Sequence, residues 1–481
     1  MFLMADRAYY GGYYKVLSED SIKQIHESSL QVLEQVGFKI TYPPALKLLD
    51  KNGAEVVSDR VYLPRELVTR CIKQAPSEFT FHGREKGKEI VLGGNRVHFG
   101  TGGTALNVLD LERNKRKSTA KDISDIAALV EEMENIDFFI IPVYPHDSTV
   151  EKADINRFFP ALTHSSRPVM GGIYSLEGLK DIVDIASFIA GDRETLRQKP
   201  FVGFITSIAS PLKIDDLYAQ LLMEVASTGL PLATSTAPTA GATAPITLAG
   251  TLVQQNAEAL MGVVLSQLVN PGTPVLYSAV PSTLDIRTMS FLMGSVESGL
   301  MNAAITQMAY YYRLPSYITV GTTDSKVPDA QAAHESASTC LLAALAGGNF
   351  IHEAAGLLEG AMTACFAQYV IDNDIIGGCL RALRGVEINQ DTLAVDVIAA
   401  VGPEGNFLGE AHTIDYMRTE SFFPRVSDRR SYQAWHSAGG KDSWSTAEEL
   451  ARKYLEQEHR HFVDDEKIQE IKSKYDGVVE F

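Results

Sequence analysis

The 481-residue sequence predicts an α/β protein: a (β/α)8 TIM-type barrel with an N-terminal α+β extension and a C-terminal extension of helices and loops. Two observations carry this. From about residue 95, short β-branched or apolar runs alternate with long amphipathic stretches, and eight such runs occur, at 97–100, 138–144, 168–174, 201–207, 231–236, 274–279, 316–320 and 349–353. Five of them are entered through proline, at Pro168, Pro200, Pro231, Pro274 and Pro315. Proline suits the first position of a strand, where its missing N–H breaks no ladder bond. A doubly wound open sheet is the alternative, but Gly100, Gly102 and Gly103 only loosely echo its phosphate turn.

In chain order, residues 1–94 form the extension. Ile22, Ile25, Leu30 and Leu33 recur at helical spacing over 18–34, and Gly37 follows as a stop. A helix over 43–52 ends at Gly53, a third spans 66–74, and 79–82 with 89–92 read as a small hairpin. Residues 95–385 form the barrel. One of its helices opens on a cap at Thr119–Asp122 and places Ile123, Ile126, Val130 and Met133 on one face; another, over 215–226, uses Leu217, Leu221 and Val225. Helices are expected at 363–372 and 375–384. Residues 386–481 form the C-terminal extension: a helix over 391–401 stopped by Gly402 and Pro403, a loop-rich aromatic stretch over 403–444, and charged helices over 445–475.

Composition narrows the function. With 43 basic and 60 acidic residues the formal charge is −17, which argues against nucleic-acid binding. No apolar run reaches about 18 residues, so no membrane span is expected. The start, residues 1–7, lacks the pattern of a signal peptide, and a cytoplasmic location is expected. Cys71, Cys340, Cys365 and Cys379 form no CxxC pair and read as buried free thiols.

In a barrel, chemistry sits at the carboxyl ends of the strands. Those ends carry Thr101, Tyr144, His146, Asp147, Tyr174, Ser207, Thr236, Ser278, Asp324, Lys326, His352 and Glu353. No HExxH or comparable spacing supports a metal site, and no GxSxG elbow is present. Lys326 is the one lysine among these ends and admits a Schiff-base lyase with Asp324 as base. The aromatic residues Tyr144, Tyr174, Tyr277, Phe350 and Phe366 suit a cation that needs no proton transfer, such as a quaternary ammonium.

Several segments together resemble the trimethylamine:corrinoid methyltransferase superfamily over nearly the whole chain. They are AGATAPITLAG at 240–250, QNAE at 255–258, NPGTPV at 270–275, DSKVPDAQ at 324–331 and ALAGGN at 344–349, with His412, Thr413, Arg418, Pro424, Asp428, Arg429 and Trp435 in the tail. The resemblance implies a TIM barrel and methyl transfer from an amine to the cobalt of a separate corrinoid protein, as in methanogenesis or acetogenesis. No cofactor is then held tightly by this chain: cob(I)alamin comes on the partner. Members that use trimethylamine carry pyrrolysine after strand seven. That position falls at or beside Val327, and no pyrrolysine occurs here. Such non-pyrrolysine members are implied to demethylate quaternary amines, glycine betaine first, with proline betaine, carnitine and gamma-butyrobetaine as alternatives. The expected catalytic positions are Asp324 and Val327. His352 is expected to take the betaine carboxylate, with Arg313 a weaker candidate, while Tyr144, Tyr174, Phe366 and Gln331 complete the substrate site. A homo-oligomer is expected. A Schiff-base lyase using Lys326 and a non-catalytic betaine-binding protein are the competing readings.

Overall fold

The computed structural model describes residues 8–481, so the reading of residues 1–7 falls outside it. Eight parallel strands form one sheet: β1 (His98–Thr101), β2 (Phe139–Ile140), β3 (Val169–Gly172), β4 (Val202–Ile208), β5 (Leu232–Thr236), β6 (Val275–Ser278), β7 (Ser316–Thr319) and β8 (Phe350–Ala355). Each falls on one of the eight runs read from the sequence. Neighbours pair in sequence order, and β8 pairs back to β1. The ring closes between β1 and β2 through a parallel bridge of Gly100 with Phe138. There the Thr101 hydroxyl stands in for ladder groups. It donates to the Ile140 carbonyl at 2.7 Å and accepts the Ile140 N–H at 2.8 Å. β2 is shorter than expected: Pro142, two residues on, has no N–H to give.

A helix follows each strand: α1 (Ala120–Glu131), α2 (Ala153–His164), α3 (Leu176–Ala190), α4 (Asp216–Thr228), α5 (Leu248–Val269), α6 (Val296–Tyr312), α7 (Ala330–Ala346) and α8 (Phe366–Leu383). Thr119 and Asp122 form a reciprocal capping box at the start of α1, as their spacing predicts. In α4, Leu221 and Val225 are buried, but Leu217 in the first turn points outward. The two helices expected over 363–384 are one. Residues Thr363–Cys365 instead pair as a strand with Asn107–Leu109, and Cys365 caps α8.

The N-terminal residues wrap the barrel. Helix Glu19–Gln31 continues into a π-turn and stops at Gly37. The strand Phe38–Ile40 takes a parallel partner, Lys213–Ile214, from the loop before α4. The hairpin Glu78–Phe81 with Ile90–Gly93 plugs the barrel floor. Phe81, Phe138, Ile140, Met170, Leu276, Tyr317 and Phe350 fill the lumen, with Phe138 stacked on Phe350 at 3.5 Å. The interior is thus packed from below, which leaves the layer above Phe350, at the carboxyl ends of the strands, as the place for chemistry.

A buried polar chain locks the N-terminal helix to the barrel. The Tyr277 hydroxyl donates to Asn256 Oδ1 at 2.6 Å, Asn256 Nδ2 donates to the Tyr312 hydroxyl at 2.9 Å, and that hydroxyl meets His26 Nδ1 at 2.9 Å. Replacing Asn256 by Ala removes one bond from each of two buried hydroxyls, leaving Tyr312 with His26 and Tyr277 with a long contact to Gln255. The expected cost is about 2 kcal/mol, read as a lowered Tm; an unchanged Tm would contradict this role.

Candidate active site

Two groups of side chains meet at the carboxyl ends of the strands, on either side of the exit of β1. The first surrounds β8. The register of β8 against β1 shifts between Ile351 and Ala355, and Glu353 within that bulge has φ of +62°. The left-handed turn brings its carboxyl to the side occupied by His352, whose Nε2 lies 3.6 Å from Glu353 Oε1. Thr322 Oγ1 donates to Glu353 Oε2 at 2.9 Å. A side chain at 102 would not fit: a Cβ there would stand 2.2 Å from Glu353 Cγ. Gly102 is therefore a packing requirement of this carboxyl, not part of a phosphate loop. His352 stacks on Tyr317 at 4.7 Å and its Nδ1 meets Thr319 Oγ1 at 3.1 Å. Its Nε2 is buried with no hydrogen-bond partner.

Burial governs the charge of both groups. It pushes the His352 pKa down to about 3, against a small opposing pull from the Gly103 carbonyl. It pushes the Glu353 carboxyl up to about 7, with the Thr322 hydroxyl pulling the other way. Both are 4% exposed or less. Near neutral pH the imidazole is uncharged and the carboxyl is poised at its midpoint.

The second group follows β2 and β3. The rings of Tyr144 and Tyr174 lie 6.3 Å apart, and His146 stands edge-on to Tyr144 at 5.1 Å. Tyr174 is 37% exposed. Its back face rests on the Arg157 guanidinium, 4.6 Å from the ring centre. Arg157 comes from α2, is fully buried, and donates to the Gly172 carbonyl at 2.6 Å and to Thr104 Oγ1 at 2.7 Å. Among the described residues no carboxylate forms an ion pair with it. Asp154, one turn earlier, takes the backbone N–H groups of Tyr174 and Ser175 at 3.1 Å each and fixes the turn that presents the ring. Burial raises the Asp154 pKa and the Arg157 charge opposes that rise. The segment Gly102–Gly103–Thr104 touches both groups and sets their spacing.

The other expected residues lie elsewhere. Asp324 accepts the backbone N–H groups of Met293 and Gly294, at 3.0 Å each, and so ties the exit of β7 to the loop after β6. Lys326 is exposed and donates to the Asp324 carbonyl at 2.7 Å. Val327 is 36% exposed on the same loop. Around it Thr323, Ser325 and Asp329 bond to one another, to Glu335 and to the first turn of α7, so the polar side chains of 323–329 are spent on folding the loop. Gln331 is exposed and donates to Glu335 at 2.9 Å. Phe366 is buried at the start of α8 in the core around the barrel. Arg313 caps the far end of α6, before β7, remote from the mouth. Among the described residues no group of three or more His, Cys, Asp or Glu is placed to hold a metal ion, and no helix is long and apolar enough to cross a membrane.

Sequence reasoning passed over Arg157, Thr104 and Thr322 and left Glu353 as one strand end among many. Arg157 had a signal: it is the only Lys or Arg in the helix ADINRFFPALTH, every residue of which is buried. Glu353 had none, because its direction is set by the bulge. The placement of Asp324 makes a direct prediction. Asp324→Asn should lose one of two backbone bonds, cost about 1–2 kcal/mol and leave the rate within about tenfold, whereas removal of a proton-transferring group costs roughly 10²–10⁴-fold; a loss of that size would show that Asp324 reacts.

Residues 9–475 match the family model described as trimethylamine methyltransferase (MTTB). Trimethylamine methyltransferase MttB of Desulfitobacterium hafniense (strain DSM 10664 / DCB-2) is 37% identical over 442 residues, covering 91% of this chain and 89% of that one. Glycine betaine methyltransferase of Desulfitobacterium hafniense (strain Y51) is 35% identical over 423 residues, covering 88% of each. Among solved structures, the hydroxylamine complex of MtmB superposes with a TM-score of 0.50 over 91% of this chain and 92% of that one at 12% identity, a likeness of fold alone. The chain belongs to the trimethylamine methyltransferase family and is a methyltransferase.

Proposed function

We propose that the protein moves a methyl group from a quaternary amine, glycine betaine first, to the Co(I) of a separate corrinoid protein, releasing dimethylglycine. The observation that carries this reading is the loop after β7. Its side chains are bonded into the loop itself, and Val327 offers no electrophile with which to activate a tertiary amine. A quaternary amine needs none: it is already cationic and leaves as a neutral tertiary amine. A relative of equal standing is named a glycine betaine methyltransferase.

The residues then divide the zwitterion between them. His352 Nε2 and the Glu353 carboxyl, 3.6 Å apart, are both uncharged donors when Glu353 is protonated. With the Thr319 proton turned from the Ala279 carbonyl to Nδ1, each 3.1 Å away, the N–H stands on Nε2, facing the substrate carboxylate. Tyr144 and Tyr174 offer ring faces to the trimethylammonium end. Arg157 behind Tyr174 draws on the same ring and keeps that attraction modest. This matters, because binding the cation too tightly would stabilise the ground state over a transition state in which the charge is leaving nitrogen. Cobalamin, carried by the partner, supplies the nucleophile. The chain's residues hold one N-methyl toward the mouth, exclude water and move no proton.

In an anaerobic spectral assay, glycine betaine should convert cob(I)alamin to methylcobalamin with stoichiometric dimethylglycine, and trimethylamine should not. Activity with trimethylamine alone would overturn the reading, and so would failure of every betaine. Proline betaine, carnitine and gamma-butyrobetaine in the same assay rank the alternatives.

The protonated Glu353 adds a pH dependence. Betaine binding requires the proton, so affinity is fully present below about pH 7 and weakens about tenfold per unit above it. Glu353→Gln keeps a donor and removes the titration; its Kd, measured calorimetrically, should be flat from pH 6 to 8.5. Affinity that instead rises with pH in the wild type would place an anionic Glu353 against the ammonium.

A further inference from the structure

The layer of side chains above Phe350 is full on one side of the barrel and open on the other. Alternate residues of each strand point into the lumen. On β3 to β5, Met170 and Ala233 belong to the lumen core, Ile205 packs on it, and a Cβ at Gly203 would meet Met170 and Phe81. Two residues on along each strand, the next layer up is therefore Gly172, Ser207 and Ser235. On β7 and β8 the same layer is Thr319 and His352. Those two are 4 and 3% exposed, whereas Ser207 is exposed and Gly172 and Ser235 are only partly buried. A Cβ added at Gly172 would meet no atom nearer than Tyr174 Cε1, at 4.0 Å. Room is left in the lumen beside the Tyr174 ring, away from His352.

The two serines are matched and free. β4 and β5 are parallel and pair Ser207 with Ser235, directly above the pair of Ile205 with Ala233. Neighbouring strands run about 4.8 Å apart, so the two side chains stand next to each other at one height. Nearby hydroxyls are spent within the protein, Ser278 on the Leu276 carbonyl at 2.8 Å and Ser210 and Thr236 on the Glu258 carboxyl; among the described residues those of Ser207 and Ser235 are not. Alanine, which stands at 233 one layer down, would leave the same room, so the hydroxyls add polarity and nothing to the packing. In the eight-stranded ring β4 lies opposite β8, with β2 and β3 between them on one side. A zwitterion with its ammonium on Tyr144 and Tyr174 and its carboxylate on His352 and Glu353 therefore turns the carbons between its charges toward β4 and β5. Glycine betaine has one CH2 there and nothing to hydrogen-bond. A hydroxyl on that chain both donates and accepts, and so does each serine.

We propose that Ser207 and Ser235 are specificity-determining residues: in the room left by Gly172 they take a hydroxyl on the carbon chain of the substrate, so that the site prefers a hydroxylated betaine to its deoxy counterpart. The inference rests on the betaine assignment of the site and extends it to the middle of the substrate. Carnitine and gamma-butyrobetaine differ by one hydroxyl and test it without altering the protein. Calorimetric titration of the full-length protein, with no cobalamin present, should give carnitine a Kd about three- to tenfold below that of gamma-butyrobetaine, the worth of one net hydrogen bond. It should also separate the two enantiomers of carnitine, because both serines lie on one wall. Ser207→Ala with Ser235→Ala removes two oxygens and should bring both ratios to about one, a change that a merely structural role of the serines would not produce. Should the double variant fail to fold, the single variants carry the reading, each lowering both ratios. With glycine betaine bound as a control, equal affinities for the pair in the wild type, or a preference that survives the substitutions, overturn this inference and leave the betaine assignment standing. Glycine betaine binding while neither of the pair binds overturns it as well. Failure of glycine betaine and of both longer betaines to bind removes the betaine assignment itself, and this inference with it.

Discussion

The close passage of β1 and β8 at the mouth is the constraint on which the site depends. β8 adds two residues to its register there, Glu353 takes a left-handed backbone, and the carboxyl folds back under cover. Only glycine at 102 leaves room for it. The same short segment then supplies Thr104 to Arg157 and so holds the support of Tyr174. A side chain at 102 would push on Glu353 directly and on the aromatic pair through two residues of backbone. One steric allowance thus sets the distance between the polar and the aromatic halves of the site.

The electrostatics of the mouth follow from depth. His352 and Glu353 sit in the top layer of a packed lumen, over Tyr317 and Phe350, where charge is poorly solvated. Neutral donors are what such a layer tolerates. The positive charge of Arg157 is held behind a ring and on two oxygen acceptors. A substrate carrying both its charges suits this arrangement better than a lone cation, because its carboxylate can be held without an ionised partner and its ammonium can be left weakly bound.

Much of the fold was legible because barrels repeat. Proline before β3 to β7 and the alternation of apolar runs place all eight strands, and the spacing of Thr119 and Asp122 gives the cap of α1. What local pattern could not carry was anything set by a distant partner. The strand Lys213–Ile214 exists because Phe38–Ile40 lies beside it, and Thr363–Cys365 is a strand because Asn107–Leu109 is. The site divides the same way. Tyr144 and Tyr174 were found from strand ends and do meet, and His352 is where its strand puts it. Phe366 was placed near them by sequence proximity to β8, but a detour through Leu357–Leu358 and Thr363–Cys365 carries it into the outer core. Glu353 depended on a bulge, and Arg157 on a helix that the sequence reading did not single out.

A structure determined with glycine betaine bound tests the central claim most directly. The account predicts a carboxylate oxygen within about 2.7–3.1 Å of both His352 Nε2 and the Glu353 carboxyl, with the trimethylammonium group against Tyr144 and Tyr174. A betaine bound the other way round, its ammonium on Glu353 and its carboxylate away from His352, would contradict it.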